Sequence, residues 1–383
     1  MDLIRVATPQ VGEEEAEAVR QVLLSGRYVS GPHVEAFEQA FAAYIGVEHV
    51  VALNSGTAAL HAALDALGIG LGDEVIVPAL TFFSTATAVL HQNAVPVFCD
   101  VSLENYCMDP SDLEGRVTER TRAVIPVHLY GHVADMDGIR EVADRHQLAV
   151  IEDCAQAHGS EHRGVKVGGI ADLGAFSFFA TKHMTTGEGG AVTTNDPSQA
   201  ERMRLFRSHG LRGRNDHVLL GYNYRMTEMA AAMGLVQLGK LDQLNAKRIT
   251  VSEHLIDRLS AVPWMTLPQV PEHVKHTYFW CHALIDEELL GMATSELIHA
   301  LRERGVEVRH RYLEPLNRQP VLTGSLCSPL RLAEEQGLLP DYARLDLPNA
   351  GAVAGRMIGL PNRPDMSEGE IDRVVDAVLR AGD

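Results

Sequence analysis

Leu148-Ala-Val150-Ile151-Glu152-Asp153-Cys154-Ala155-Gln156 carries an apolar strand, Leu148 to Glu152, directly into two carboxylates. The amphipathic stretch just before it, Met136 to His146, reads as a helix, and ahead of that Ala123 to Val127 reads as another strand. Working outward, Val50 to Leu53, Glu74 to Val77 and Pro96 to Cys99 are short apolar runs, with the helical pattern Thr57 to Leu67 between the first two. Gly174 to Phe179 and Ala191 to Thr194 continue the series. Strands that are apolar throughout and alternate with amphipathic helices predict an α/β fold, a mainly parallel sheet covered by helices on both faces. Ligands of such sheets bind at the carboxyl ends of the strands. Asp153 stands at such an end, where a charge is costly unless a cation or a set of hydrogen-bond donors meets it. A salt bridge or a helix cap would meet it as well as a functional partner would.

Beyond Thr194 the pattern changes. Ser198 to His209 and Thr227 to Leu259 are helical by periodicity, Pro263 to Glu272 is proline-rich, and His276 to Ile285 is strand-like. Thr294 to Arg304 and Ser367 to Leu379 read as helices, the latter opened by a capping box of Ser367 and Glu370. With 383 residues the chain exceeds what one core usually supports. We expect a large domain over 1–248 and a smaller α+β domain over 249–383.

Composition narrows the function classes. A chain with 46% hydrophobic and 22% charged residues is globular, and 33 Lys plus Arg against 51 Asp plus Glu give a net charge of −18. That field repels phosphate backbones and anionic lipid, so neither nucleic acid nor a membrane is an expected partner. The five cysteines, Cys99, Cys107, Cys154, Cys281 and Cys327, form no CxxC pair and suit a reducing compartment. The start, MDLIRVATPQ, lacks the blocks of a signal peptide, and no apolar run is long enough to span a bilayer. The expectation is a soluble cytoplasmic protein.

Two motifs fail on inspection. Gly234 to Lys240 has the GxxxxGK spacing, but Leu241 stands where a P-loop needs Ser or Thr, and the surroundings are helical. His128 and His132 are four apart, yet Gly131 and the preceding strand argue against one helix face aiming both at a metal. No metal site is expected. Arg202, Arg204, Arg207, Arg212 and Arg214 form a local basic cluster that either grips a diphosphate or is simply a solvated helix face and loop. Arg309 and His310 are weaker candidates of the same kind.

Three segments gain meaning together. Asn54-Ser55-Gly56-Thr57 joins a strand to a helix, where converging backbone N–H groups hold a phosphate or Ser and Thr serve only as an N-cap. Asp153 is the acid described above. In Ser177-Phe-Phe-Ala-Thr-Lys182, followed by Thr185-Thr-Gly-Glu-Gly-Gly190, a lysine after an apolar strand is placed for partial desolvation, which lowers its pKa and frees a nucleophilic amine. Pyridoxal 5'-phosphate asks for these things at once: a lysine for its aldehyde, a carboxylate for its pyridine nitrogen and a phosphate cup. Phe82, in Pro78-Ala-Leu-Thr-Phe82-Phe83-Ser84-Thr85, is a candidate to lie flat on the ring, with core packing the alternative.

The same segments resemble the DegT/DnrJ/EryC1/StrS family of fold-type I pyridoxal-phosphate enzymes, chiefly nucleotide-sugar aminotransferases. The resemblance spans nearly the whole chain. It is carried in order by SGRYVSGPHVEAFEQAFAAYIG (Ser25 to Gly46), NSGTAALHAAL (Asn54 to Leu64), VPALTFFST (Val77 to Thr85) and VHLYGHVADMD (Val127 to Asp137). IEDCAQAHGS (Ile151 to Ser160), FSFFATKHMTTGEGGAVTTND (Phe176 to Asp196) and GYNYRMTEMAAAMGLVQL (Gly221 to Leu238) complete it. It implies that Lys182 is joined to the cofactor's aldehyde and that Asp153 partners the pyridine nitrogen. It further implies that Gly56, Thr57 and Ser177 contact the phosphate, beside Ser55, that Phe82 stacks on the ring, and that Gln156 lies near the ring hydroxyl. Asn223 matches an asparagine that reaches the neighbouring subunit's phosphate, so a homodimer with shared active sites is implied. The implied reaction is ping-pong transfer of an amino group from glutamate to a keto group of a dTDP-, UDP- or GDP-linked deoxy-sugar, in amino-sugar biosynthesis.

Two positions depart from the family's pattern. His132 stands where glutamine is commoner, at a place expected to touch substrate. His183 follows Lys182 directly, and one branch of the family, the dehydratases, replaces the lysine by histidine; a lysine in register favours transamination. An aminocyclitol or other non-nucleotide ketone is the alternative acceptor. A regulatory role is disfavoured by the acidic charge and by the lack of a DNA-reading motif.

Overall fold

The computed structural model describes residues 2–323 and 328–381. Seven strands form its main sheet: β1 (His49–Leu53), β2 (Glu74–Pro78), β3 (Val95–Cys99), β4 (Thr121–Val124), β5 (Ala149–Asp153), β6 (Leu173–Ser177) and β7 (Gly190–Thr194). Their order is β1-β7-β6-β5-β4-β2-β3, and only β7 runs antiparallel to its neighbours. This is the α/β, mainly parallel sheet read from the sequence. The helices before, between and after these strands are α1 (Glu13–Ser25), α2 (Pro32–Ile45), α3 (Gly56–Ala66), α4 (Ser84–His91), α5 (Pro110–Arg116), α6 (Met136–His146), α7 (Pro197–Phe206) and α8 (Glu228–Leu259).

Register brings the functional segments together. Asp153 pairs with Ala175, Ser177 with Gly190, and Gly190 in turn with Leu53, so the ends of β5, β6 and β1 share one edge. Phe176 and Phe178 are fully buried and pack edge-on against Phe41 of α2 at 5.0 and 5.4 Å between ring centroids. Alternation along the strand leaves Ser177, between them, on the other face. The chain from β6 to Lys182 is thus anchored by aromatic packing on either side of the residue it presents.

A second apolar core gathers Val251, Leu255 and Leu259 from the far half of α8 with the helices Thr294–Glu303 and Glu368–Leu379. Over it lies an antiparallel sheet of β8 (Met265–Thr266), β9 (Cys281–Ile285), β10 (Arg309–His310) and β11 (Met357–Leu360), in the order β8-β9-β11-β10. The strand expected from His276 begins only at Cys281. Before it the backbone turns at Tyr278, with φ of 47°, and its N–H groups follow another element: Thr277 N donates to Gly131 O and Trp280 N to Tyr130 O. That detour carries Phe279 and Trp280 to the mouth of the large sheet.

No helix among the described residues is long and apolar enough to cross a membrane. Cys99, Cys107, Cys154 and Cys281 are free and buried, and Cys327 lies outside the described residues. The false P-loop lies inside α8, where Lys240 ion-pairs with Glu14 and Glu15 at 2.7 and 2.8 Å.

Candidate active site

At the strand ends opens a cavity of about 530 Å³ whose lining includes Ser55, Gly56, Thr57, Phe82, Asp153, Gln156, Ser177 and Lys182. Eight of the nine residues singled out in the sequence therefore meet in one place. The ninth, Asn223, is exposed and does not line it; its carbonyl accepts from Asn54 Nδ2 at 3.2 Å.

At the α3 end of the cavity the N-cap is present and leaves two further donors free. Ser55 Oγ accepts from Ala58 N at 3.1 Å, and Ser55 O accepts from Ala59 N. The N–H groups of Gly56 and Thr57 find no acceptor among the described residues, and both residues line the cavity at the positive end of the helix dipole. Gly56 is required by close approach: a Cβ there would lie 2.6 Å from Ser177 Cβ. Two loop ends thus close on one another to form a cup of N–H and O–H donors with no charged side chain in it.

Asp153 is buried, with Thr85 Oγ1 donating to Oδ2 at 3.0 Å and Ala155 N to Oδ1 at 3.1 Å. Burial raises its pKa, and these two donors and the Lys182 charge only partly offset that. Such a carboxylate is completed by a cationic N–H donor. Lys182 is half-buried, its Nζ 4.7 Å from the centre of the Phe279 ring. Desolvation is the main cause that pushes its pKa down to about 8; Asp153 pulls upward and Arg311 pushes further down. An amine in this state is a nucleophile near neutral pH. Phe82, 55% exposed, offers an open ring face rather than serving as core. Gln156 is fixed by accepting from Tyr130 N at 3.1 Å and donating to Tyr312 Oη at 2.9 Å. The donor set fits pyridoxal phosphate: a phosphate-sized cup, an acid in want of a proton, a low-pKa amine and an exposed aromatic face converge in one cavity.

Neighbouring residues do other work. Glu152 is fully buried, and its oxygens accept from Gly168, Ile170 and Ala171 N–H at 2.9 Å each. His128 Nδ1 accepts from Ala134 N, so Nε2 carries the proton and donates to Glu152 at 3.0 Å. Although His128, Glu152 and Cys154 cluster, the donors and acceptors of the first two are engaged by one another and by backbone. His183 turns away from the cavity, buried against Phe279 with Nε2 3.2 Å from Thr277 O, so the ambiguity of register with Lys182 vanishes. His132, expected at the substrate, is buried between the carbonyls of Val133 and Gln269 and does not line the cavity.

The basic cluster is likewise relocated. Arg202 pairs with Asp65, Arg207 with Glu38, Arg212 with Asp216 and Arg204 with Glu201. These pairings engage four of the five arginines, Arg207 in a largely buried pair that also bonds Ala52 O and the other three at the surface. Of the weaker candidates, His310 bonds Gly355 O at 2.7 Å, whereas Arg309 lines the cavity. Sequence reasoning missed Phe279, Trp280, Arg311, Tyr312 and Glu188, which also line it. The only signal for the arginines was the alternation in Arg309-His310-Arg311.

A mainly parallel sheet with a lysine and a buried acid at its strand ends defines the class of fold-type I pyridoxal-phosphate-dependent transferases. Residues 9–379 match the DegT/DnrJ/EryC1/StrS aminotransferase family. GDP-perosamine synthase of Caulobacter vibrioides is 39% identical over 392 residues, which cover 98% of this chain and 97% of the relative. L-glutamine:2-deoxy-scyllo-inosose aminotransferase of Streptomyces kanamyceticus is 39% identical over 371 residues, covering 91% and 87%. Among solved structures, Spr1654 of Streptococcus pneumoniae in its PMP-form superposes with a TM-score of 0.88 at 28% identity, covering 99% of this chain and 98% of that one. This chain belongs to the DegT/DnrJ/EryC1/StrS aminotransferase family and is an aminotransferase.

Proposed function

We propose that this chain transfers an amino group from glutamate to the keto group of a nucleotide-linked deoxy-sugar by a ping-pong mechanism, with pyridoxal 5'-phosphate as cofactor. The observation that carries the reading is the pairing, in one cavity, of the Lys182 amine with the buried Asp153 carboxylate, at the N-terminus of α3. When bound, pyridoxal phosphate supplies an aldehyde that receives the amine and a ring that accepts the electrons left on the substrate carbon.

In this reading Gly56 and Thr57 N–H and the hydroxyls of Ser55 and Ser177 hold the phosphate. Ser55 Oγ accepts the cap bond and keeps its own proton to donate. Asp153 accepts a hydrogen bond from the protonated ring nitrogen, with Thr85 and Ala155 fixing its carboxylate. Phe82 covers one ring face and Gln156 sits at the ring hydroxyl. Lys182 would hold the cofactor's aldehyde and would move a proton between the substrate carbon and the cofactor carbon; its pKa of about 8 suits both directions near neutral pH. Asn223 reaches the phosphate of a second copy, which makes the working form a homodimer.

A second reading, amination of a cyclitol ketone, rests on one observation: a relative named for a scyllo-inosose is as similar, at 39% identity, as one named for a GDP-sugar. Incubating the cofactor-loaded protein and glutamate with dTDP-, UDP- and GDP-keto-sugars and with cyclitol ketones separates the two. We expect 2-oxoglutarate and an aminated sugar nucleotide; amination of the cyclitol alone selects the second reading.

A further inference from the structure

Arg309 and Arg311 both line the cavity, and neither guanidinium has a hydrogen-bond or ion-pair partner among the described residues. Elsewhere Arg116, Arg202, Arg207 and Arg363 each hold a carboxylate. Arg309 is half-buried, with an Nε shut off from solvent and unbonded. Burial and the charge of Arg311 both lower its pKa. Two like charges that no carboxylate among the described residues meets within ion-pair distance, with Glu307 acting on Arg309 only from further off, are a site prepared for an anion.

Their placement says which anion. The intervening His310 is tied back to Gly355 O, while Arg309 in the strand and Arg311, exposed just past its end, both line the cavity, with backbones roughly 7 Å apart where the chain is extended. The carboxyl carbons of an extended five-carbon dicarboxylate are about 5 Å apart, a span that two flexible guanidinium forks on that spacing bridge. Arg311 also acts on the Lys182 ammonium, and the next residue, Tyr312, bonds Gln156. The pair therefore stands beside the group that moves the proton. In an amino acid a carboxylate is attached to the very carbon that loses this proton; in a sugar nucleotide the diphosphate is removed from the ketone by the sugar itself. The phosphate cup belongs to α3 and β6 and is made of neutral donors, so it does not claim these arginines.

We propose that Arg309 and Arg311 form the donor subsite, taking the two carboxylates of a dicarboxylic amino donor and selecting it over its ω-amide. This rests on the transamination proposed above and assigns the residues that choose its donor. Trp280, which stacks toward Tyr312 with ring centres 6.3 Å apart and lines the cavity, closes the same wall and gives a built-in optical probe.

The test titrates the purified protein, with pyridoxal phosphate present, with glutarate, which has both carboxylates and no amine. Binding is followed by calorimetry and by tryptophan fluorescence. Charge-assisted bidentate contacts predict that Arg309→Gln and Arg311→Gln each weaken glutarate by at least about tenfold, that Arg311→Lys recovers part of the loss, and that the monoamide binds the unaltered protein at least about tenfold more weakly. Steady-state kinetics then divide the reaction, because in a ping-pong scheme each substrate's kcat/KM reports its own half. In either variant the kcat/KM for glutamate falls at least about tenfold further than that for the keto acceptor, because any change in Lys182 is common to both halves whereas the carboxylate contacts serve the donor alone. A loss confined to the acceptor overturns the assignment in favour of an acceptor subsite. Glutarate binding that ignores both substitutions, or glutamine used as well as glutamate, also overturns it. Failure of the transamination itself looks different: no amine leaves any donor, while the glutarate titration still decides the subsite.

Discussion

Gly56→Ala is the substitution whose effect the geometry specifies most closely. An added methyl would lie 2.6 Å from Ser177 Cβ and 3.2 Å from Ser177 Cα, so the first turn of α3 and the end of β6 must separate by roughly 1 Å to reach ordinary contact. Neither side yields easily: Phe176 and Phe178 pin β6 in the core, and the residues following Gly56 in α3, Ala58 to Leu64, are all buried. Overpacking of this kind costs about 1–3 kcal/mol. Where the strain opens the phosphate cup, it appears as a loss of cofactor affinity of roughly fivefold to a hundredfold. Spectrophotometric titration with pyridoxal phosphate measures it, with thermal unfolding of the cofactor-free protein as the control for global damage. In a double-mutant cycle with Ser177→Gly, which removes the clashing atom together with a phosphate donor, Gly56→Ala costs less affinity in the Ser177→Gly background than in the parent, a coupling expected only of residues in contact. Cofactor affinity within twofold of the parent protein in Gly56→Ala would refute the idea that this approach shapes the cup.

Asp153→Asn keeps the shape and removes a desolvated charge. Its Oδ1 still accepts from Ala155 N, and the Thr85 hydroxyl can turn to Phe82 O, already 3.3 Å away. Because burial raises the folded-state pKa of Asp153, the folded protein holds this proton more tightly than the unfolded chain, and stability falls as pH rises through the folded value. The cofactor-free Asn variant should therefore melt higher than the parent at pH 7 to 8 and lose that advantage in acid, while turnover drops at least a hundredfold; equal melting at neutral pH would contradict the buried charge. The rate at which the cofactor-free protein takes up pyridoxal phosphate should rise with pH and level off above about 8, as Lys182 loses its proton, whereas a midpoint at the ordinary lysine value would place the amine in solvent. Mixing inactive Lys182→Ala with inactive Asn223→Ala should restore roughly a quarter of the parent activity, since half of randomly assembled dimers carry one intact site; no recovery at any mixing ratio would remove Asn223 from the partner's site.

The part of the site carried by short segments at strand ends was legible in the chain. Ser55 to Thr57, Phe82, Asp153 to Gln156 and Ser177 to Lys182 each sit just past an apolar strand, and the parallel sheet brings such positions to one edge. The opposite wall was not legible. Phe279 and Trp280 arrive because their backbone bonds the Tyr130 turn, nearly 150 residues earlier, and nothing local in His276 to Ile285 encodes that detour. The Arg202 to Arg214 cluster left two readings open for the converse reason. Its countercharges include Asp65 and Glu38, more than 130 residues away in sequence and adjacent in space, so its local charge overstated its availability to a ligand. His132 shows the limit of reading a position by likeness, because its ring turns to the Val133 and Gln269 carbonyls and away from the cavity.

The chain contains five lysines, Lys166, Lys182, Lys240, Lys247 and Lys275, and of these Lys182 lines the cavity. Reducing the protein with borohydride in the presence of pyridoxal phosphate and mapping the modified peptide by mass spectrometry asks which amine holds the cofactor. The account predicts stoichiometric modification of Lys182 alone, abolished by Lys182→Ala. Modification of another lysine, or a protein that takes up no cofactor at all, would contradict it.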